Sequence, residues 1–267
     1  ADMRRLVREA ALDDAAEGSR WLELQVDPTS YAPFVGGLTP ALEIVLDEAA
    51  SVSREGGAQV GVIVAASRIR HPLEARTLAR LAAQYAGEGA GAVVGFGLSN
   101  DERRGETGEF APAFRIARGA GLALMPHAGE LLGPAAVEET LDALAPDRIG
   151  HGVRSVEDPR VVERLASDGV ALEVCPLSNV ALGVYADPDE VPLRTLIEAG
   201  IPVALGADDP LLFGSRLVRQ YEVARESLGF SDAELAQLAA GSIRASRAPA
   251  GMKESALARI EAWLGGV

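Results

Sequence analysis

The sequence predicts an α/β protein on a parallel sheet, a (β/α)8 TIM-type barrel whose first strand lies upstream of residue 1. Three observations lead there. Seven short apolar runs are each followed by at least one helical pattern, and that alternation means parallel strands joined by helical crossovers. The run Val60-Gly-Val-Ile-Val-Ala-Ala66 is apolar almost without a break, as in a sheet covered on both faces. The stretches Leu122-Ala-Leu-Met-Pro-His127-Ala-Gly-Glu130 and Arg148-Ile-Gly-His151-Gly152 are short strands that end in histidine, at the edge where such folds gather ligands. A closed barrel needs eight strands and this chain opens with a helix, so an open doubly wound sheet is the alternative.

In chain order, Met3 to Ala16 is an amphipathic helix of good helix formers, ended by Gly18. Trp21 to Val26 is a strand stopped by Asp27-Pro28, and Pro33 to Gly37 a loop. Thr39 as N-cap and Pro40 at the first helical position open a helix to about Ser53. The Val60 strand follows, then a helix from Pro72 to Tyr85, the strand Gly91 to Gly97 and a helix from Phe110 to Ala117. After the Leu122 strand come a helix from Pro134 to Leu144, the Ile149 strand and a helix capped by Asp158-Pro159. Val170 to Cys175 is a strand, Pro192 to Ala199 a helix, and Ile201 to Gly206 the last strand. From Phe213 the pattern is helical, with a capping box at Ser231-Asp-Ala-Glu234. With no linker and no repeat, residues 1–267 form a single domain.

The totals narrow the function. A 267-residue chain with 48% hydrophobic residues buries a sizeable core, and no apolar run reaches the ~20 residues of a membrane span. A net charge of −14 repels nucleic acid and anionic membrane, so neither is a partner. One cysteine can make no internal disulfide, and no basic-then-apolar leader stands at Ala1, so a reducing, cytoplasmic setting is the expectation unless a leader was removed. Whether it forms a homo-oligomer stays open.

Four consecutive strands end in polar residues: His127 and Glu130, His151, Cys175-Pro-Leu-Ser178-Asn179, and Asp208-Asp209. Imidazole and carboxylate across a barrel mouth suit a zinc ion that activates water, and Glu130, three residues past His127, could carry a proton there. Each has a plainer reading. Asp209-Pro210 could be a helix start, His71 before Pro72 reads as structural, and Ser178-Asn179 read as turn and loop-pinning residues. Cys175 lies in an apolar run with no base beside it, which fits a buried structural thiol. No G-x-S-x-G elbow, G-x-G-x-x-G turn or Walker loop occurs, which counts against acyl transfer and nucleotide cofactors.

The ordered set MPHAGE, RIGHG, EVCPLSN and GADDP resembles the adenosine deaminase family of metal-dependent purine deaminases, from about Arg20 to the C-terminal helices. The resemblance implies a zinc-dependent hydrolase that releases ammonia from a 6-aminopurine nucleoside. It implies His127 as a zinc ligand, Glu130 as proton donor to N1 and His151 as the group that orients the attacking hydroxide. Asp208 would ligate zinc and act as base, Asp209 would hydrogen-bond N7, and Gly129 would line the purine. The family also carries a His-x-His zinc pair at the end of its first strand. This chain has only His71, His127 and His151, so two further histidine ligands are expected from an N-terminal segment outside it. Where adenosine deaminases proper show Asp-Leu-Ala-Gly-Asp-Glu, this chain reads Gly97-Leu-Ser-Asn100-Asp-Glu102. Asn100 then replaces the glycine that offers its backbone to N3, and the stretch looks more like the branch acting on aminodeoxyfutalosine, a menaquinone-pathway adenosine analogue. Arg103 and Arg104 could meet its carboxylate. The competing class is a metal-free, non-catalytic barrel that binds a purine compound or a partner protein.

Overall fold

The computed structural model describes residues 1–266, which divide into two compact units. The first comprises Ala1–Pro126 with 143–145 and Arg247–Pro249, and the second His127–Asp142, Pro146–Ser246 and the C-terminal helix that begins at Ala250. Every strand pairing among the described residues is parallel and joins neighbours in sequence. The helix-strand alternation read from the sequence is therefore present, with its seven strands.

In the first unit, helix α1 (Asp2–Ala16) leads into β1 (Trp21–Val26), a short helix α2 (Ala32–Val35) and α3 (Leu38–Arg54). Then come β2 (Gln59–Ser67), α4 (Pro72–Gln84), β3 (Val93–Ser99), α5 (Ala111–Gly119) and the start of β4 (Ala123–Ala128). Strand β2 is buried at every residue but Gln59, as its unbroken apolar run requires. Phe96 and Phe114 meet edge to face at 5.3 Å within the core, and each fully buried ring contributes about 1.5–3 kcal/mol over an exposed one.

Two local expectations are corrected here and a third holds. Residues 33–37 are not all loop, because Ala32–Val35 closes a helical turn ended by Gly36 at φ 91°. The cap of α3 is Gly37 at φ 136°, not Thr39, since glycine turns the chain into the helix two residues early. Pro40 then sits in the first turn, where a missing N–H leaves no hydrogen bond broken. His71 is structural, as read: its Nδ1 accepts the Leu73 N–H at 3.1 Å and caps α4.

The second unit holds the end of β4, then α6 (Pro134–Leu144, apart from its last two residues), β5 (Arg148–His151), α7 (Pro159–Asp168) and β6 (Ala171–Val174). It continues with α8 (Pro176–Ala181), α9 (Leu193–Glu198), β7 (Val203–Leu205), α10 (Pro210–Phe213), α11 (Leu217–Glu226), α12 (Asp232–Ala245) and α13 (Ala250–Gly265). Asp158 caps α7 through the Arg160 N–H, and Ser231 and Glu234 close the capping box of α12. A second core, from Val137 and Ile149 to Leu238, underlies β5, β6 and β7. The Arg148 guanidinium reaches Glu173 at 2.6 Å on the next strand and the Ala245 carbonyl at 2.8 Å, tying α12 to this sheet. Among the described residues no helix is long and apolar enough to cross a membrane.

Candidate active site

The second unit carries His127, Gly129, Glu130, His151, Cys175, Asn179, Asp208 and Asp209, all at or just beyond the C-terminal ends of its strands. Strand β4 runs on through Pro126, so His127 lies on the strand and pairs with Gly150, while Ala128 pairs with His151. The His127 ring covers Gly150 so closely that a Cβ there would stand 3.0 Å from ring atoms. Beyond the strand the chain turns at Gly129, with φ 70°, and the turns after β4 and β5 lock together. The Gly152 N–H donates to Ala128 O and the Arg154 N–H to Gly129 O, both at 2.9 Å. This clasp brings the His127 and His151 rings to 5.0 Å between centroids and swings Glu130 back toward them.

Glu130 Oε1 lies 3.3 Å from His151 Nδ1 and accepts the Asn179 Nδ2 hydrogen bond at 3.0 Å. The His151 side chain is only 4% exposed and Asn179 is fully buried, so little water competes for these contacts. Burial, with a smaller contribution from the neighbouring His127, pushes the His151 imidazole well below its ordinary range and keeps it neutral at pH 7. Among the described residues, three of the four non-glycine residues with positive φ are Asn100, His151 and Asp208, at or just beyond the ends of β3, β5 and β7. Bent backbone of this kind concentrates where a side chain must leave the strand direction.

Asp208 completes a group with His151 and Cys175 whose ligand atoms all lie within 4.8 Å of one another. That group takes in His151 and Cys175 rather than His127. The thiol is a poor member of it: burial first, then the carboxylates of Asp208, Glu173 and Glu130, push Cys175 well above its ordinary range and hold its proton on. This agrees with a structural cysteine. Imidazole and carboxylate remain, donor types that zinc accepts. Asp209 sits at the N-cap position of α10, yet its side chain makes no capping hydrogen bond. Lost hydration, then the Asp208 charge, raise its carboxyl toward the protonated form.

Asn100 belongs to the first unit, at the end of β3. Its φ of 76° is one that glycine adopts freely and asparagine tolerates, which explains how asparagine can stand where a glycine is expected. Its amide donates to Ser67 Oγ at 3.0 Å. Arg103 holds Asp101 through two side-chain hydrogen bonds of 2.8 and 2.9 Å. Ser178 and Asn179 lie in the short helix α8 rather than a turn, and Asn179 is the member of the site that the sequence does not single out. A six-residue helix is too short to leave a periodic signal, and only the juxtaposition with Glu130 reveals it.

A family model described as adenosine deaminase matches residues 1–263. A Streptomyces coelicolor protein, provisionally named an adenosine/adenine deaminase, is 62% identical over 98% of this chain and 76% of its own length. Among solved structures, the adenine deaminase of Arthrobacter aurescens superposes with a TM-score of 0.91 at 32% identity, over 99% of this chain and 80% of that one. An amidohydrolase of Burkholderia ambifaria with bound zinc gives 0.88 at 26% identity, over 97% and 72%.

Proposed function

We propose that this chain, which belongs to the adenosine deaminase family, hydrolyses the 6-amino group of free adenine at a zinc ion held in part by His127 and Asp208. Hydrolytic deamination of purines is the activity of its relatives and makes the chain a hydrolase. The convergence of Glu130, His151 and Asp208 at the strand ends of the second unit carries the reading. A family match that runs unbroken over residues 1–263 supports treating 1–267 as one metal-dependent hydrolase domain.

The reaction replaces an amino group by oxygen at C6: adenine and water give hypoxanthine and ammonia. Zinc, when bound, would supply a water whose pKa is lowered to about 7. Asp208 would serve as base and the neutral His151 would orient the attacking water toward C6. Glu130 protonates N1, so that the electrons displaced from the ring do not accumulate as charge. Asp209 would hydrogen-bond N7, an acceptor, and burial with the Asp208 charge shifts its carboxyl in the direction that contact needs.

The names of the relatives favour adenine, and so does the arrangement around Asn100. The amide and the guanidinium that would argue for aminodeoxyfutalosine are engaged by Ser67 and Asp101. Assaying the full chain with adenine, adenosine and aminodeoxyfutalosine, alongside metal analysis, tests this. The expected result is bound zinc and a kcat/KM for adenine at least about tenfold above the others, roughly 1.4 kcal/mol in transition-state preference. A higher value for aminodeoxyfutalosine would return the menaquinone-pathway reading. Purine binding with neither zinc nor turnover would leave a non-catalytic barrel.

A further inference from the structure

We propose that Arg154 is a positioning residue for the acid: it clamps the chain on both sides of Glu130 and so fixes where the carboxyl can reach. The inference rests on reading Glu130 as the acid. The Arg154 backbone N–H donates to Gly129 O at 2.9 Å, and its guanidinium Nη1 donates to Leu131 O at 2.7 Å. One residue thus holds the carbonyl just before Glu130 and the carbonyl just after it. Between those two anchors lies the residue whose side chain does the chemistry.

The clamp meets a need that the local chain does not. After β4, residues 129–133 form no regular structure, and α6 begins only at Pro134. Carbonyls outside a ladder or helix must be held by other groups, and a side chain moves with the backbone that carries it. Arg154 belongs to a short 3-10 helix, Val153–Glu157, which follows His151 through the left-handed Gly152 at φ 67°. The two strand ends lie side by side, since Ala128 pairs with His151. The turn after β5 is therefore in place to grip the loop after β4.

Glu157 aims the guanidinium. Arg154 Nε and Nη2 bond its two carboxylate oxygens at 2.6 and 3.2 Å, and the rigid fork then turns Nη1 to Leu131 O. The pair also abuts the far end of the loop: a Cβ on Gly133 would stand 3.3 Å from Glu157 Oε2 and 3.8 Å from Arg154 Nη2. The Arg154 and Glu157 side chains are 32% and 45% exposed, and an ion pair so open to water adds little to global stability. Its weight falls on the geometry of the loop instead. Misplacing a reacting group by about 1 Å can cost ~10²-fold in rate.

Two variants of the full chain test the clamp. Arg154→Ala removes the side chain, while Arg154→Met keeps the apolar stem and covers the case in which alanine fails to fold. Neither removes the backbone N–H, so the Gly129 bond stays while the Leu131 anchor goes. Each should lower kcat about thirtyfold while KM stays within about threefold, with metal content and urea midpoint close to those of the parent. A kcat within about threefold of the parent in either folded variant overturns the proposal. Arg154→Met is then combined with Glu130→Gln, at enzyme concentrations raised to measure the slower turnover. A side chain with no proton to deliver loses nothing by being misplaced, so the added loss there should stay within about threefold. A loss of about thirtyfold in both backgrounds would make Arg154 merely structural and overturn the proposal. Glu130→Gln also separates the two readings. Activity retained there overturns the acid assignment, and this proposal with it. Its loss there beside fully active Arg154 variants overturns this proposal alone.

Discussion

Replacing Gly129 by alanine should cost the protein about 2–5 kcal/mol, and two separate effects add to that figure. At φ 70° the new Cβ crowds its own backbone, a left-handed penalty of roughly 1–2 kcal/mol. The same Cβ would press on Val137 Cγ2 and stand 3.2 Å from the Gly152 Cα. Val137 is fully buried, and Gly152 is held by its hydrogen bond to Ala128 O, so neither neighbour can move aside freely. Overpacking of this kind costs about 1–3 kcal/mol. Gly169→Ala is the control: its φ is 67°, nothing lies within 4 Å of its Cβ, and only the backbone penalty applies. Urea unfolding followed by circular dichroism measures both variants, with the difference between them reporting the packing cost. If Gly129→Ala loses no more than the control, the clasp between the turns after β4 and β5 is not the tight junction described. Activity should fall further than stability predicts, because the turn that would be displaced carries Glu130.

Glu130→Gln should keep fold and metal content while losing about 10²–10⁴ in turnover, and activity above about a tenth of the parent refutes its role as acid. For His151 the folded-state affinity for protons lies below the ordinary value of 6.5, so the unfolded chain binds the proton first as pH falls. Its contribution to the stability of the zinc-free protein should therefore be present above about pH 6.5 and fall by up to about 1.4 kcal/mol per pH unit below it. His151→Gln should flatten that slope in urea titrations from pH 7 to 5. At Asn100, glycine should be tolerated within about 1 kcal/mol, whereas alanine, which shares neither its tolerance of positive φ nor its bond to Ser67, should cost about 1–2 kcal/mol or more. Equal effects of the two substitutions would mean that the backbone conformation is not what selects Asn100.

Much of this molecule was legible because its signals are local. The unbroken apolar run of β2, the Asp158-Pro159 cap and the Ser231 capping box each say what the chain does within a few residues. Two of the histidines, too, announce themselves at strand ends: His127 before Ala128-Gly129, and His151 between two glycines. What escaped depends on neighbours remote in sequence or on very short elements. Gly37 rather than Thr39 caps α3 because backbone torsion outweighed side-chain preference. Strand β4 passes through Pro126, although a proline ordinarily reads as a stop. Asn179 meets Glu130 across 49 residues of chain, and no pattern within EVCPLSN points to that contact. The functional weight of Asn100 changed for a similar reason, since Ser67, 33 residues away, holds its amide.

The left-handed backbone at Asn100, His151 and Asp208 also limits how such a protein can diversify. At these three positions a mutation is screened for conformation before its chemistry is tried, and only glycine, asparagine, aspartate and, less readily, histidine pass at little cost. A valine or isoleucine that improved a substrate contact would be rejected with its benefit unrealised. New specificities should therefore arise at neighbours such as Asp209, whose φ of −105° admits most residues. A library aimed at changing the preferred purine would gain most by randomising those neighbours and leaving the three bent residues alone.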